Sequence, residues 1–130
     1  MYDHDFTKEQ FKAFWPGGYY ENFNGIGYTP KVFTDVFAVL EPLMNKEHTA
    51  LELGPGRGRW TRLLTGAFKH VIALDVIPRS NGLTGPEFAN LTYIELKEHD
   101  FYCTGVADSS IDFAFSYGMF CHLSADACAT

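Results

Sequence analysis

LELGPGRGRW, residues 51–60, carries the reading of this chain. Ala50, Leu51 and Leu53 form a short apolar run that holds one acid, Glu52, and three glycines follow at alternate positions, Gly54, Gly56 and Gly58. An amphipathic helical pattern begins directly after them. This is the order strand, tight loop, helix start. Glycine reaches positive φ without a Cβ penalty and lets a ligand come closer to the backbone than any side chain would permit. The N–H groups of the helix start face outward, where the dipole favours a carboxylate, a phosphate or another anion. The loop therefore reads as a small-molecule cradle.

The rest of the composition limits what that cradle serves. The 130 residues, with 46% hydrophobic and 20% charged side chains, suit one folded unit with one core. A net charge of −6 and no Lys/Arg block argue against nucleic acid, whose phosphates need several basic side chains to neutralise them. The start, MYDHDFTKEQ, has no basic region followed by an apolar run, and no apolar stretch approaches the ~18 residues of a membrane span. No membrane partner and a cytoplasmic location are expected. Cys103, Cys121 and Cys128 have no CxxC spacing and read as reduced thiols. The five His residues show no paired metal-ligand spacing, and no metal is expected.

Upstream of the loop, Thr7 with Gln10 forms a capping box and Phe6 with Phe11 a hydrophobic staple, so a helix is expected over residues 7–15, ended by Pro16-Gly17-Gly18. The segment from Tyr19 to Tyr28 mixes aromatics with turn residues and reads as a loop that packs on something. Thr29 as N-cap and Pro30 at the first helical position start a second helix. Its apolar stripe, Val32, Val36, Val39, Leu40 and Leu43, is expected to cover one face of a sheet until Pro42 ends or kinks the helix. Residues 1–45 thus read as an N-terminal helical cap or lid, and residues 46–130 as the ligand-binding domain.

Strands are expected at Thr49 to Leu53, at His70 to Asp75, at Leu91 to Leu96 and at Ile111 to Ser116. The helix after the glycine loop places Trp60, Leu63, Leu64, Ala67 and Phe68 on one face. The run HVIALD has the form of a strand buried on both faces of a parallel sheet. Asn81-Gly82 and Gly85-Pro86 mark Pro78 to Pro86 as a loop with at most a short helical piece. Such alternation implies βαβ units with right-handed crossovers.

In an open doubly wound sheet the ligand lies outside the carboxyl ends of the strands. Those ends carry Glu52, the glycines, Asp75, Asp100 and Ser116-Tyr117. Asp75 follows Gly54 by 21 residues, the spacing at which an acid on the second strand meets ribose hydroxyls. The competing reading is an acid that only caps the loop after its strand. A dinucleotide fingerprint, G-x-G-x-x-G, fails here because Arg59 stands where the third glycine belongs.

The pattern E-x-G-x-G-x-G, Glu52 through Gly58, instead resembles the first motif of class I S-adenosylmethionine-dependent methyltransferases. Ala73-Leu74-Asp75 resembles that family's acidic second-strand end, His99-Asp100-Phe101 its adenine-contacting step, and Ile111 to Ser116 with Met119 to Leu123 its fourth-strand motif. The resemblance runs from about Thr49 to the end of the chain. It implies an α/β, Rossmann-like three-layer sandwich with a partly parallel sheet of order 3-2-1-4 and N-terminal helices, with S-adenosyl-L-methionine as cofactor. By the same resemblance Gly54, Gly56 and Gly58 flank the methionine part, Glu52 takes its ammonium, Asp75 binds the ribose, and Val76 packs on adenine. Asp100 and the Phe101 N–H read the adenine edge, and Ser116 and Tyr117 line the methyl-transfer end.

Methyl transfer is an in-line displacement at a sulfonium, so positioning supplies much of the rate and a base is needed only where the acceptor must lose a proton. His122 is the candidate base by position, although the family pattern often uses that residue structurally. Tyr19, Tyr20 and Phe23 suit either a lid over the site or the packing of an N-terminal cap. Arg57, Arg59 and Arg62 read as a solvated helix face, and Cys121 as packing. A small-molecule methyl acceptor fits the acidic balance. An NAD(P)-dependent oxidoreductase and a noncatalytic nucleoside-binding module are the alternatives. The family core continues past the fourth strand with three more elements, so the sequence is expected to be C-terminally truncated.

Overall fold

The computed structural model describes residues 30–79 and 83–129. The expected helix over residues 7–15, the Tyr19 to Tyr28 loop with Tyr19, Tyr20 and Phe23, and the Asn81-Gly82 turn lie outside the described residues. Helix α1 spans Pro30–Leu40 and begins, as expected, on a proline whose fixed φ suits a first helical position. Pro42 has no N–H and would clash with a preceding carbonyl, so the chain tightens into a 3-10 turn, Glu41–Leu43, closed by Met44 N–H on the Glu41 carbonyl at 3.2 Å.

Four strands follow, β1 Thr49–Leu53, β2 His70–Asp75, β3 Leu91–Glu95 and β4 Phe113–Ser116, with helix α2, Arg59–Ala67, between the first two. A short helix α3, Ala125–Ala129, comes last. The strands form one parallel sheet in the order β3-β2-β1-β4. This is the expected Rossmann-like α/β order. β4 starts at Phe113 rather than at Ile111, because Asp112 spends its groups on closing the loop: its N–H donates to the Thr49 carbonyl at 3.0 Å and its carboxylate accepts the Thr49 N–H at 2.9 Å.

Register sets which side chains share a face. Tyr93, Ala73, Glu52 and Phe115 lie in one row across the sheet, on the face covered by α2. Ala50, Val71, Leu91 and Phe113 lie on the same face and form the core with Leu64 and Phe68 of the α2 segment and with Leu83 and Phe88. Fully burying a side chain such as Leu64 or Phe68 is worth about 1.5–3 kcal/mol. Phe68 stacks on Phe113 at 5.1 Å, and Trp60 meets Phe115 at 5.8 Å and Tyr117 at 5.5 Å, so aromatic pairs fasten α2 to β4. At the other end of α2 the Asn90 side-chain amide donates to the carbonyls of Thr65, Phe68 and Lys69, which no further helical turn could satisfy.

The α1 stripe divides. Leu40 is buried, but Val39 and Leu43 are 68% and 51% exposed, so this part of the stripe does not cover the sheet. The buried face of α2 also differs from its apolar pattern: Thr61 and Thr65 are buried beside Trp60 and Leu64, while Leu63 and Ala67 are half-buried.

Candidate functional site

β1 delivers Glu52 to the α2 face and then turns sharply through the glycines. Gly54, Gly56 and Gly58 have φ of 72°, 55° and 83°, all in the left-handed region that a Cβ disfavours. The loop is pinned by Gly54 N–H on the Leu74 carbonyl at 2.9 Å and by Gly58 N–H on the Pro55 carbonyl at 2.9 Å. It also fits closely. A Cβ on Gly54 would stand 2.7 Å from Met119 Cβ, and one on Gly58 would stand 3.0 Å from Cγ of the buried Leu83. Gly58 is the N-cap of α2, and no side chain caps that helix.

Glu52 is 2% exposed. Thr61 Oγ1, in the first turns of α2, donates to Glu52 Oε2 at 2.6 Å. Burial pushes the Glu52 carboxyl up from 4.5 to about 7; the Thr61 bond opposes that rise and the Asp75 charge adds to it. Asp75 stands on the same face, two residues beyond Ala73, the β2 partner of Glu52. Its Oδ2 accepts the Gly56 N–H at 3.1 Å and its Oδ1 the Ile77 N–H at 3.2 Å. Burial raises its pKa, and the backbone bonds from Gly56, Ile77 and Val76 hold it down. Asp75 therefore ties the loop after β2 to the glycine loop after β1. A carboxylate has about four accepting positions, so these bonds leave room for hydroxyl donors.

Tyr93 stands in the same row as Glu52. Its hydroxyl donates to the Ile77 carbonyl at 2.7 Å, which holds the Asp75-Val76-Ile77 turn from the β3 side. Burial, with Asp75, Glu95 and Glu52 nearby, drives the phenol far above its ordinary range, so it stays a neutral donor. Val76 is half-buried in that turn.

The remaining expected site residues have partners within the fold. Asp100 Oδ1 accepts the Tyr102 N–H at 3.1 Å across a turn in which His99 has φ 63°, and Phe101 meets the His99 ring edge-on at 6.2 Å. Ser116 Oγ donates to the Leu53 carbonyl at 3.1 Å, joining β4 to the end of β1, and Tyr117 packs on Trp60. His122 ends the 3-10 turn Phe120–His122 and is half-buried, which lowers its pKa and favours the neutral ring. Cys121 is exposed rather than packed, its thiol donating to the Gly118 carbonyl at 3.2 Å. None of the three cysteines is in a disulfide.

Thus one face of the sheet brings together Glu52, Asp75 and the glycine loop, with Thr61 and Tyr93 as partners that the sequence did not single out. A methyltransferase-domain family matches residues 51–129, more than half of the chain. The chain belongs to that family. This methyltransferase domain is of the class I type, whose methyl donor is S-adenosylmethionine. It is 34% identical over 101 residues to phosphoethanolamine N-methyltransferase 1 of Triticum aestivum, a match that covers 69% of this chain and 18% of the wheat protein. Among solved structures it resembles precorrin 8w decarboxylase of Methanobacterium thermoautotrophicum, with a TM-score of 0.50, 24% identity, and coverage of 70% of this chain and 50% of that one, a likeness of fold.

The residues present fit the donor. A carboxyl buried beside a second acid gains from an ammonium partner, and the Gly56 N–H, bonded to Asp75, brings the backbone of the glycine loop up to the same pair of acids.

Proposed function

We propose that the methyltransferase domain binds S-adenosylmethionine over the Gly54 to Gly58 loop, and that the protein transfers its methyl group to a small-molecule acceptor. The buried Glu52 beside Asp75 at the glycine loop is the observation that carries this reading. Bound there, the sulfonium supplies an activated methyl group and leaves as a neutral thioether.

The chain's own residues bind and orient. Glu52 takes the ammonium, Gly54, Gly56 and Gly58 flank the methionine part, and the start of α2 suits its carboxylate. Asp75 accepts the ribose hydroxyls while it keeps its bonds from Gly56 and Ile77. Val76 packs on adenine, Asp100 and the Phe101 N–H read the adenine edge, and Ser116 and Tyr117 border the reacting methyl. His122, neutral at pH 7, is the candidate base for an acceptor that must lose a proton. Residues 1–45 serve as the cap, and residues 46–130 hold the cofactor.

The small-molecule acceptor is supported by the wheat relative, named for a small amine, and by the net charge of −6, which also disfavours nucleic acid. The chain spans 18% of that relative's length. No helix among the described residues is long and apolar enough to cross a membrane. The experiment is methyl transfer from S-adenosylmethionine labelled at the methyl group to a pool of small amines, hydroxy compounds and thiols. Label in a small product supports the reading. Binding of the donor with no transfer to any pool, by the longest expressible protein, would make this a noncatalytic binding module.

A further inference from the structure

Thr61 is fully buried, in a helix–sheet contact that valine would fill with the same shape and no polar group to desolvate. A threonine inside a helix commonly bonds back to a carbonyl of its own preceding turn. Thr61 instead reaches across to the sheet and donates to Glu52 Oε2 at 2.6 Å, nine residues earlier in the chain. The bond is short, shielded from water and made to one carboxyl oxygen. It crosses from α2 to the central strand at the level of the glycine loop.

The groups around Glu52 define what this bond does. Ala73 of β2 and Phe115 of β4 are its register neighbours and carry no charge. Asp75 of β2 adds a like charge, and the neutral Tyr93 phenol of β3 donates elsewhere, to the Ile77 carbonyl. The Thr61 bond is the interaction that favours the ionised acid, because a hydroxyl donor stabilises a carboxylate more than a carboxylic acid.

We propose that Thr61 is a positioning residue whose hydroxyl anchors Oε2 of Glu52 and so presents this buried acid to the ammonium group of the amino-acid end of the ligand. The inference rests on the S-adenosylmethionine reading of the site. It assigns Thr61 no contact with the ligand itself. Its effect is confined to ligands that carry the ammonium, which separates it from a residue that only packs.

The test is calorimetric titration of the 130-residue chain and its Thr61→Val, Thr61→Ala and Thr61→Ser variants with two ligands across pH 6 to 8.5. S-adenosylhomocysteine carries the amino-acid end, and 5′-methylthioadenosine has the adenosine and sulfur without it. Thr61→Val should weaken S-adenosylhomocysteine about tenfold at pH 7 and move the pH below which its affinity falls upward. It should leave 5′-methylthioadenosine unchanged, and Thr61→Ser should restore both the affinity and the pH profile. Thr61→Ala should act as Thr61→Val does, which keeps the test intact if one of the two does not fold. Equal weakening of both ligands, or an unchanged S-adenosylhomocysteine profile in Thr61→Val or Thr61→Ala, would overturn the positioning role. Failure of the unsubstituted chain to bind S-adenosylhomocysteine at any pH would instead remove the reading on which the inference rests.

Discussion

Replacing Glu52 by glutamine should make the protein more stable and less able to bind its ligand, and the gain in stability should depend on pH. The side chain is 2% exposed and its carboxyl is pushed from 4.5 to about 7, chiefly by burial. A raised carboxyl pKa means that the folded state holds the proton more tightly than the unfolded chain. Stability from this group is therefore full below about 4.5 and is lost as pH rises through about 7. At ~1.4 kcal/mol per pH unit over that interval, ionised Glu52 costs the fold about 3 kcal/mol at pH 8. Glutamine keeps the shape and an oxygen to accept the Thr61 hydroxyl, but it has no charge to desolvate. Urea denaturation of both proteins at half-unit steps from pH 4.5 to 8.5 should show the glutamine variant gaining progressively up to about pH 7 and then levelling. Asp75 titrates in both proteins and largely cancels in the difference. A stability difference that stays flat with pH, or that favours the wild type at pH 8, would refute the assignment of a desolvated, ionisable Glu52.

Two further substitutions probe neighbouring parts of the site. Asp75→Ala should weaken S-adenosylhomocysteine binding at least tenfold, ~1.4 kcal/mol, through the ribose hydroxyls, as read by titration calorimetry; an unchanged dissociation constant would remove Asp75 from the ribose. Gly58→Ala combines a left-handed backbone, φ 83°, with a Cβ driven against Leu83, so a loss of about 2–4 kcal/mol is expected in chemical denaturation, and a loss below ~0.5 kcal/mol would mean that the loop and Leu83 yield easily.

The centre of the fold was legible because its signals are local. The bounds of β1 and β2 follow from two apolar runs, TALEL and HVIALD, each holding an acid that no buried strand carries without a reason. The three glycines are spaced so that each takes positive φ, which needs no distant partner to be recognised. What depended on tertiary neighbours was hidden. Thr61 and Thr65 carry no apolar signal on α2, although both are buried and Thr61 is fixed by an acid on another element. Tyr93 looks like an ordinary strand aromatic until register places it in one row with Ala73 and Glu52 and its hydroxyl reaches the Ile77 carbonyl. Val39 and Leu43 have helical spacing, but spacing does not say what lies opposite, and both are exposed. Asp112 shortens β4 through bonds to Thr49, a residue 63 positions away, which no local pattern announces. Strand order puts Asp100 and Ser116 near the carboxyl ends of the sheet, but their ligand roles come from resemblance alone, and each bonds a backbone group within the fold.

The most direct test of the site is parallel calorimetric titration of this chain with S-adenosylhomocysteine and NADH at pH 7.5, above the Glu52 transition. The S-adenosylmethionine reading predicts one-site binding of S-adenosylhomocysteine, at least tenfold tighter than any binding of NADH. Tighter binding of NADH would contradict it.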